Sequence, residues 1–434
     1  MTLMKGLNMQ YIKEKLINRP EYIAKLNSWF GQTDLVKIVT GVRRCGKSKL
    51  FKLFQEELIT KKKISETQII DINLEDLEQT SKIGLQLQDN NILIPYKALL
   101  DYVISKLSSG KMNYVFIDEI QMLENWQQVA NTLRLRENID LYLTGSNAYM
   151  FSSDLANSFG GRYVEIKMQT YSLKEYREAL LAEKENYTPQ DLYNNYIIES
   201  GFPQTVKFKH NKELINDYIM NTVFYNTIQK DIIRRFNIAN TNKLDDVIRF
   251  VFDNIGNETS LRSVEKGLKA SGRSVSVPSI DIYLQGLIDS YLVYKCDRFD
   301  IKGKQYLDSN AKYYVSDIGL RTVILGNKDM DYGHMLENIV YLELIRRGYH
   351  VSVGKLKTDT KTLEVDFIAQ KNGNEIEYYQ VALYALDPET LERELTPLRK
   401  ISDNYPKYLL SMDTGQGIND GIKRMNVFDW LLNA

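Results

Sequence analysis

The stretch from Leu35 to Leu58, LVKIVTGVRRCGKSKLFKLFQEEL, decides how the rest of the chain is read. It opens on an apolar run, passes through Gly41-Val42-Arg43-Arg44-Cys45-Gly46-Lys47-Ser48, and continues into apolar residues at helical spacing. The middle matches G-x-x-x-x-G-K-S/T between a strand and a helix, the context that gives this pattern its meaning. The glycines let the backbone curl so that successive N–H groups face a phosphate, and the N-terminus of the following helix adds partial positive charge. Lys47 brings a full charge to the β- and γ-oxygens, and the Ser48 hydroxyl is placed to ligate a bridging Mg²⁺. The expected contacts to ATP are Gly41, Val42, Arg43, Arg44, Cys45, Gly46, Lys47, Ser48 and Lys49.

Downstream, YVFIDEIQ puts Asp118 and Glu119 at the end of a buried strand, the edge of an open parallel sheet where ligands sit. Asp118 is expected to hold the magnesium with Ser48, and Glu119 to orient or deprotonate the water that attacks the γ-phosphorus. A solvated acidic turn is the bland alternative, and the neighbouring phosphate loop speaks against it. The next strand ends in LTGSN, whose Asn147 is a candidate sensor of the γ-phosphate, although a turn that caps the next helix reads the same way. Gly160-Gly161-Arg162 places one arginine before the last core strand. Arg162 is a candidate for stabilising transition-state charge; the alternative is an ordinary surface ion pair.

Short apolar runs alternate with helical-period segments from Leu35 to Met168, the pattern of parallel strands with crossover helices. The strands are LVKIVT, TQIIDIN, NYVFID, DLYLTG and RYVEIKM. Only TQIIDIN intervenes in sequence between the loop strand and the acid-bearing strand, an order closer to ATPases than to small GTPases. The expected divisions are an α/β core over 1–170, an all-helical lid over 171–253, a winged helix over 254–329 and a last unit over 330–434. The third rests on SLRSVEKGLKA and PSIDIYLQGLIDS followed by a hairpin pattern.

A length of 434 residues allows about two to four domains, and 43% hydrophobic with 26% charged residues is ordinary globular material. Lysine plus arginine balances aspartate plus glutamate at 56 each, so no global field draws the chain to nucleic acid or lipid. Cys45 and Cys296 form no C-x-x-C pair, which argues against a zinc site or a disulfide framework. The N-terminus threads charges through its apolar residues, and no run of about 18 uncharged apolar residues occurs. The expectation is a cytoplasmic protein with no membrane span. His210, His334 and His350 stand apart and read as structural or surface residues.

Together GVRRCGKS, FIDEIQ, LTGSN, GGR with YSLKEY, SGFP at Ser200 and QKDIIRR at Gln229 resemble the AAA-type ATPases related to the archaeal ATPase group. The resemblance extends through LENIVYLELIRRGY, EVDFIAQ and YYQVA, so it covers essentially the whole chain. It implies an AAA-type P-loop NTPase core, a winged helix and a restriction-endonuclease-like α/β C-terminal domain. It also implies that sites are completed between subunits, hence a homo-oligomer.

Nucleases of that C-terminal class need a helix glutamate, a strand aspartate, and an acid-x-lysine on the next strand to bind magnesium and activate water. Glu337 and Asp366 match the first two, but Gln380 stands at the acid position and Ala382 at the lysine position. Alanine supplies no cation for the developing charge, so a retained scaffold is expected in place of an active nuclease. DNA is the partner a winged helix would take, on a face that needs lysine and arginine. Between Gly256 and Lys304 there are eight basic residues, Lys269 and Arg273 among them, against six acidic ones, which fits DNA or a protein partner equally. The leading expectation is a magnesium-dependent ATPase that moves its helical and winged-helix parts. A slow nucleotide-loaded switch is the alternative.

Overall fold

The computed structural model describes residues 16–85, 87–88, 91–92, 96–147, 159–326, 331–359, 361–371 and 375–433. The N-terminal stretch 1–15 and the division expected near residue 330 lie outside them. The five runs expected as strands form one parallel sheet: β1 (Val36–Thr40), β2 (Ile69–Asn73), β3 (Asn113–Asp118), β4 (Ile139–Gly145) and β5 (Tyr163–Lys167). Their order across the sheet is β2-β3-β4-β1-β5, so β4 separates the loop strand from the acid-bearing strand.

The inner strands β1, β3 and β4 are buried along their whole length because both faces of the sheet are covered, whereas β2 and β5 at the margins carry exposed polar residues. Tyr114 and Phe116 of β3 pack on the side of α1 (Pro20–Ser28) and α2 (Lys47–Thr60), where Phe116 meets Phe51 edge-on at 5.1 Å. Val115 and Ile117 face the other way, into a core with Leu99 of α3 (Tyr96–Lys106) and Val129 and Leu133 of α4 (Trp126–Arg134). The result is a three-layer sandwich with the phosphate loop at one sheet edge.

The next stretch is helical. A capping box of Ser172 and Glu175 starts α5 (Leu173–Ala182), and Thr188 with Pro189 starts α6 (Pro189–Glu199). Lys212–Asp217, Tyr218–Phe224, Tyr225–Thr227, Ile228–Ile233 and Arg234–Phe236 then run on as one helix, α7, whose second and fourth pieces have π pitch. In an α-helix, steps of four residues advance by about 40° each, so a row of four such residues drifts round the cylinder. The wider π turns offset that drift. Tyr218, Thr222, Asn226 and Lys230 accordingly all line the cavity beside the phosphate loop.

Three helices follow, α8 (Thr241–Asp253), α9 (Leu261–Ala270) and α10 (Val277–Asp289), packed on one another and leading into the antiparallel hairpin β6 (Val293–Asp300) and β7 (Gln305–Val315). A single bridge joins Thr259 to Ala311. Beyond α11 (Ile318–Leu325) come α12 (Tyr332–Arg346), β8 (His350–Lys357), β9 (Thr362–Lys371), β10 (Glu375–Ala382), α13 (Pro388–Arg399), β11 (Lys407–Ser411), β12 (Gly417–Asn419), β13 (Ile422–Asn426) and α14 (Val427–Leu432). The hairpin and these strands share one sheet, ordered β12-β13-β11-β10-β9-β8-β6-β7, and Arg298 of β6 lies opposite Val353 of β8. This second body docks behind the phosphate loop. Arg346 Nη2 donates to the Thr170 carbonyl at 3.1 Å, and buried Asp317 accepts the Gly201 N–H at 2.8 Å. Among the described residues no helix is long and apolar enough to cross a membrane.

His210 sits between two carboxylates, Nε2 2.5 Å from Glu185 and Nδ1 2.7 Å from Glu199. Burial opposes its charged form, but the two carboxylates outweigh burial and raise its pKa above the usual value. With the folded pKa above an unfolded value of about 6.5, this stabilisation is complete below about pH 6.5 and fades as pH rises through the folded pKa. The parent chain should therefore lose about 1 kcal/mol more than His210→Gln between pH 6 and pH 8.5 in urea titrations. Identical losses would show that the imidazolium contributes nothing.

Candidate nucleotide site

The loop from Gly41 to Ser48 leaves the C-terminal end of β1. A Cβ on Gly41, at φ +142°, would lie 2.0 Å from the Met168 carbonyl oxygen, so only glycine fits there. Arg44 and Gly46 are left-handed, at φ +67° and +106°, and such turns gather N–H groups around an anion. Gly46 caps α2. Lys47 is buried, its Nζ donating to the carbonyls of Gly41 at 3.0 Å and Val42 at 3.3 Å. Val42 and Cys45 are buried in the core, so they offer the site main chain only; burial pushes the Cys45 thiol pKa up. Arg43, Arg44, Lys47, Ser48, Lys49 and Glu119 line a cavity of about 280 Å³.

At the end of β3 the two acids part in role. Asp118 takes hydrogen bonds from the hydroxyls of Ser48 and Thr144. Burial and then the Glu119 charge raise its pKa, against Ser48, Thr144 and Lys47. One carboxylate beside two hydroxyls fits a small hard cation that keeps most of its ligands as water and phosphate. Among the described residues no cluster of three or more His, Cys, Asp or Glu side chains could hold a metal without such help.

Glu119 is left-handed, at φ +55°, and its N–H donates to Thr144 Oγ1 at 2.9 Å. That conformation is uncommon for a non-glycine residue and is sustained by the surrounding bonds. Its carboxylate accepts from Ser146 Oγ at 3.1 Å and from Gln121 Nε2. Burial would raise its pKa, but Lys47 and Arg43 with those two hydrogen bonds bring it below the ordinary carboxylate value. The result is an ionised base on the cavity wall.

Asn147 is buried at the end of β4, where its Oδ1 accepts from Arg235 Nη1 at 3.0 Å. Arg235 Nη2 also bonds Asp289 of α10 at 2.7 Å. Arg162 is not brought to the loop of its own chain. It is exposed, and its carbonyl accepts from Val36 N–H at the start of β1, while the loop leaves the other end. Five strand residues of about 3.3 Å separate the two edges, roughly 16 Å.

Several neighbours went unassigned from sequence. Buried Arg19 donates to the Gln169 carbonyl at 2.9 Å and to Glu175 at 2.5 Å, bracing the back of the loop. Met168, Tyr171 and Pro203 of the SGFP segment line the apolar end of the cavity. Asp231, within QKDIIRR, holds Arg43. That motif was visible in the sequence, but its partners lie far away along the chain.

In the C-terminal unit Glu337 and Asp366 converge, but on a lysine from another strand. Lys312 of β7 lies 2.9 Å from Glu337 and 2.8 Å from Glu364. Burial would lower the Lys312 pKa, and Glu337, Asp366 and Glu364 more than reverse this. Burial and then Glu337 push the Asp366 carboxyl up. Gln380 bonds the Asp366 N–H at 3.4 Å and Glu394 at 3.1 Å, while Ala382 brings no charge. Lys312→Met should cost about 3–5 kcal/mol at pH 7 by leaving buried carboxylates unpaired. Those carboxyls would then have folded pKa values above their unfolded ones, so the cost grows as pH rises past about 4 and shrinks on acidification. Urea titrations at pH 5 and pH 7 check this; equal costs at both would mean the loss is one of packing.

Compared with known proteins, residues 33–177 match a family described as an AAA domain, and residues 190–331 one described as a domain of unknown function (DUF8612). An uncharacterized protein of Haemophilus influenzae is 38% identical over 423 residues, 97% of this chain and 100% of that one. An uncharacterized protein of Methanocaldococcus jannaschii is 27% identical over 403 residues, 89% of this chain and 82% of that one. The solved Walker-type ATPase of Pyrococcus abyssi aligns over 72% of this chain and 97% of its own at 16% identity, with a TM-score of 0.44.

Proposed function

Because the chain belongs to one family with the Haemophilus influenzae protein and carries an AAA domain, we propose that it is a magnesium-dependent ATPase whose hydrolysis cycle moves its helical and winged-helix parts against the core. The observation that carries this reading is the ionised Glu119 carboxylate held by Ser146 and Gln121 on the wall that Lys47 and Ser48 share. The loop N–H groups and Lys47 bind the phosphates, and Ser48 and Asp118 would hold Mg²⁺, which would supply positive charge against the phosphate oxygens. Glu119 orients the water and takes its proton. Asn147 reports the state of the site through Arg235 to α10. Arg162 acts, on this reading, only in the site of a neighbouring copy, which makes the working form a homo-oligomer; a monomer-only mass with ATP and Mg²⁺ counts against that.

Helices α8, α9 and α10 with the β6–β7 hairpin support the winged-helix reading. The helix that would enter a major groove, α10, carries no lysine or arginine, whereas Lys266, Lys269 and Arg273 lie exposed on α9 and the turn after it. DNA would therefore be met by that flank. The order α12-β8-β9-β10-α13-β11 supports a restriction-endonuclease-like scaffold, and Lys312 seated between its carboxylates supports a silent one. Two buried free thiols suit a cytoplasmic home. Steady-state phosphate release, with and without duplex DNA, tests the whole reading. Release well above background supports the ATPase, stimulation by DNA names the partner, and a rate at background under every condition leaves only a nucleotide-loaded switch.

A further inference from the structure

Arg43 is a loop side chain whose placement phosphate-loop geometry alone does not explain. Its Nε and Nη2 donate to the two oxygens of Asp231 on α7 at 2.7 and 2.9 Å, a fork that fixes the plane of the guanidinium. Asp231 is buried, and it sits in a π-pitched turn, a deformation frequent at functional sites. The third nitrogen, Nη1, lies 3.9 Å from Glu119 Oε2 and 3.9 Å from Glu75 Oε1, beyond hydrogen-bond distance of either. Its donors are thus left over, beside the catalytic carboxylate, on a side chain that lines the cavity with Lys47 and Ser48.

We propose that Arg43 is a catalytic arginine supplied within the chain, presenting Nη1 to the γ-phosphoryl group of ATP, and that Asp231 is the positioning residue that aims it. The proposal rests on the ATPase reading. In the reaction the oxygen of water bonds to the γ-phosphorus while the bond to the β–γ bridging oxygen breaks. The electron pair leaves with ADP, and the proton of water passes to Glu119. Charge on the transferring group is spread over its oxygens, where a cation fixed in advance is worth most. An ion pair that merely fastened α7 to the loop would need no nitrogen facing the cavity, and a buried pair is a weak fastener once its desolvation is counted. Arg162 does not fill the place within its own chain, since it lies at the far sheet edge.

The test measures phosphate release, ADP binding, and capture of ADP with Mg²⁺ and aluminium fluoride, a mimic of the transferring phosphoryl group. Arg43→Ala should lower kcat by about 10³-fold or more, leave the Kd for ADP within about threefold, and lose stable capture of the fluoroaluminate complex. Arg43→Lys keeps a charge but not the fork, so it should still lose about 10²-fold in kcat, and it carries the test if the alanine variant does not fold. Asp231→Ala should cost at least about tenfold in the parent and nothing further in the Arg43→Ala background, as expected of a residue that acts only through another. Parental capture of the fluoroaluminate complex by Arg43→Ala overturns the proposal, and so does an equal effect of Asp231→Ala in both backgrounds. A parent chain that releases no phosphate overturns the ATPase reading and this one with it. A parent that does, beside an Arg43→Ala chain that matches it, overturns this one alone.

Discussion

Glu119→Gln should bind ATP as tightly as the parent chain and hydrolyse it roughly 10² to 10⁴ times more slowly, the loss expected when a general base is removed. Glutamine keeps the size of the side chain, and its amide oxygen can still accept from Ser146 or Gln121. The main-chain bond from residue 119 to Thr144 Oγ1 does not involve the side chain, so the left-handed turn persists. Ser48 and Asp118 are untouched, and so are the loop contacts to phosphate. The substitution removes a negative charge that Lys47 and Arg43 face, which should if anything strengthen the hold on an anion. Nucleotide binding by calorimetry and single-turnover hydrolysis separate the two quantities. Hydrolysis at the parental rate would move the base elsewhere, and failure to bind ATP would make Glu119 a structural residue.

Lys47→Ala should abolish nucleotide binding. Its ammonium is held inside the loop by the Gly41 and Val42 carbonyls at 3.0 and 3.3 Å, where it would meet the β- and γ-phosphates directly. Nucleotide at a hundredfold excess over the dissociation constant stabilises the parent by about 2.7 kcal/mol through mass action. That increment should vanish in the variant, read as the difference between melts with and without ATP and Mg²⁺. The difference cancels any change in intrinsic stability from losing a buried lysine. A parental increment would show that ATP binds at another place.

The core was legible because its strands are continuous apolar runs with turn residues at their ends. Asn113–Asp118 has the same bounds in sequence and structure, and covering on both faces is what such a run demands. Glycine at 41 and 46, Lys47, Ser48, Asp118 and Glu119 come together because a parallel sheet delivers the ends of β1 and β3 to one edge. The same rule places Arg162 on the opposite edge of its own sheet, since it precedes its strand. Arg43 and Asp231 are 188 residues apart, and no periodicity couples such a pair. Lys312 was illegible for a related reason. A cation can enter a cluster of carboxylates from any adjacent strand, so Ala382 says only which strand does not supply it.

The eight-stranded sheet sets how far a small motion can travel. Helix α10 touches α7 so closely that a Cβ on Gly286 would lie 2.8 Å from Ile232, and the chain passes from α10 straight into β6. From β7 at one margin to β12 at the other there are seven inter-strand gaps of about 4.8 Å, a span of roughly 34 Å. A hydrogen-bonded plate of that width turns as a lever: a tilt of about 5° at the α7 end sweeps the far margin through about 3 Å. On the motor reading proposed above, the width of this sheet would set the amplitude of the output, and a partner seated near β12 would feel the largest stroke.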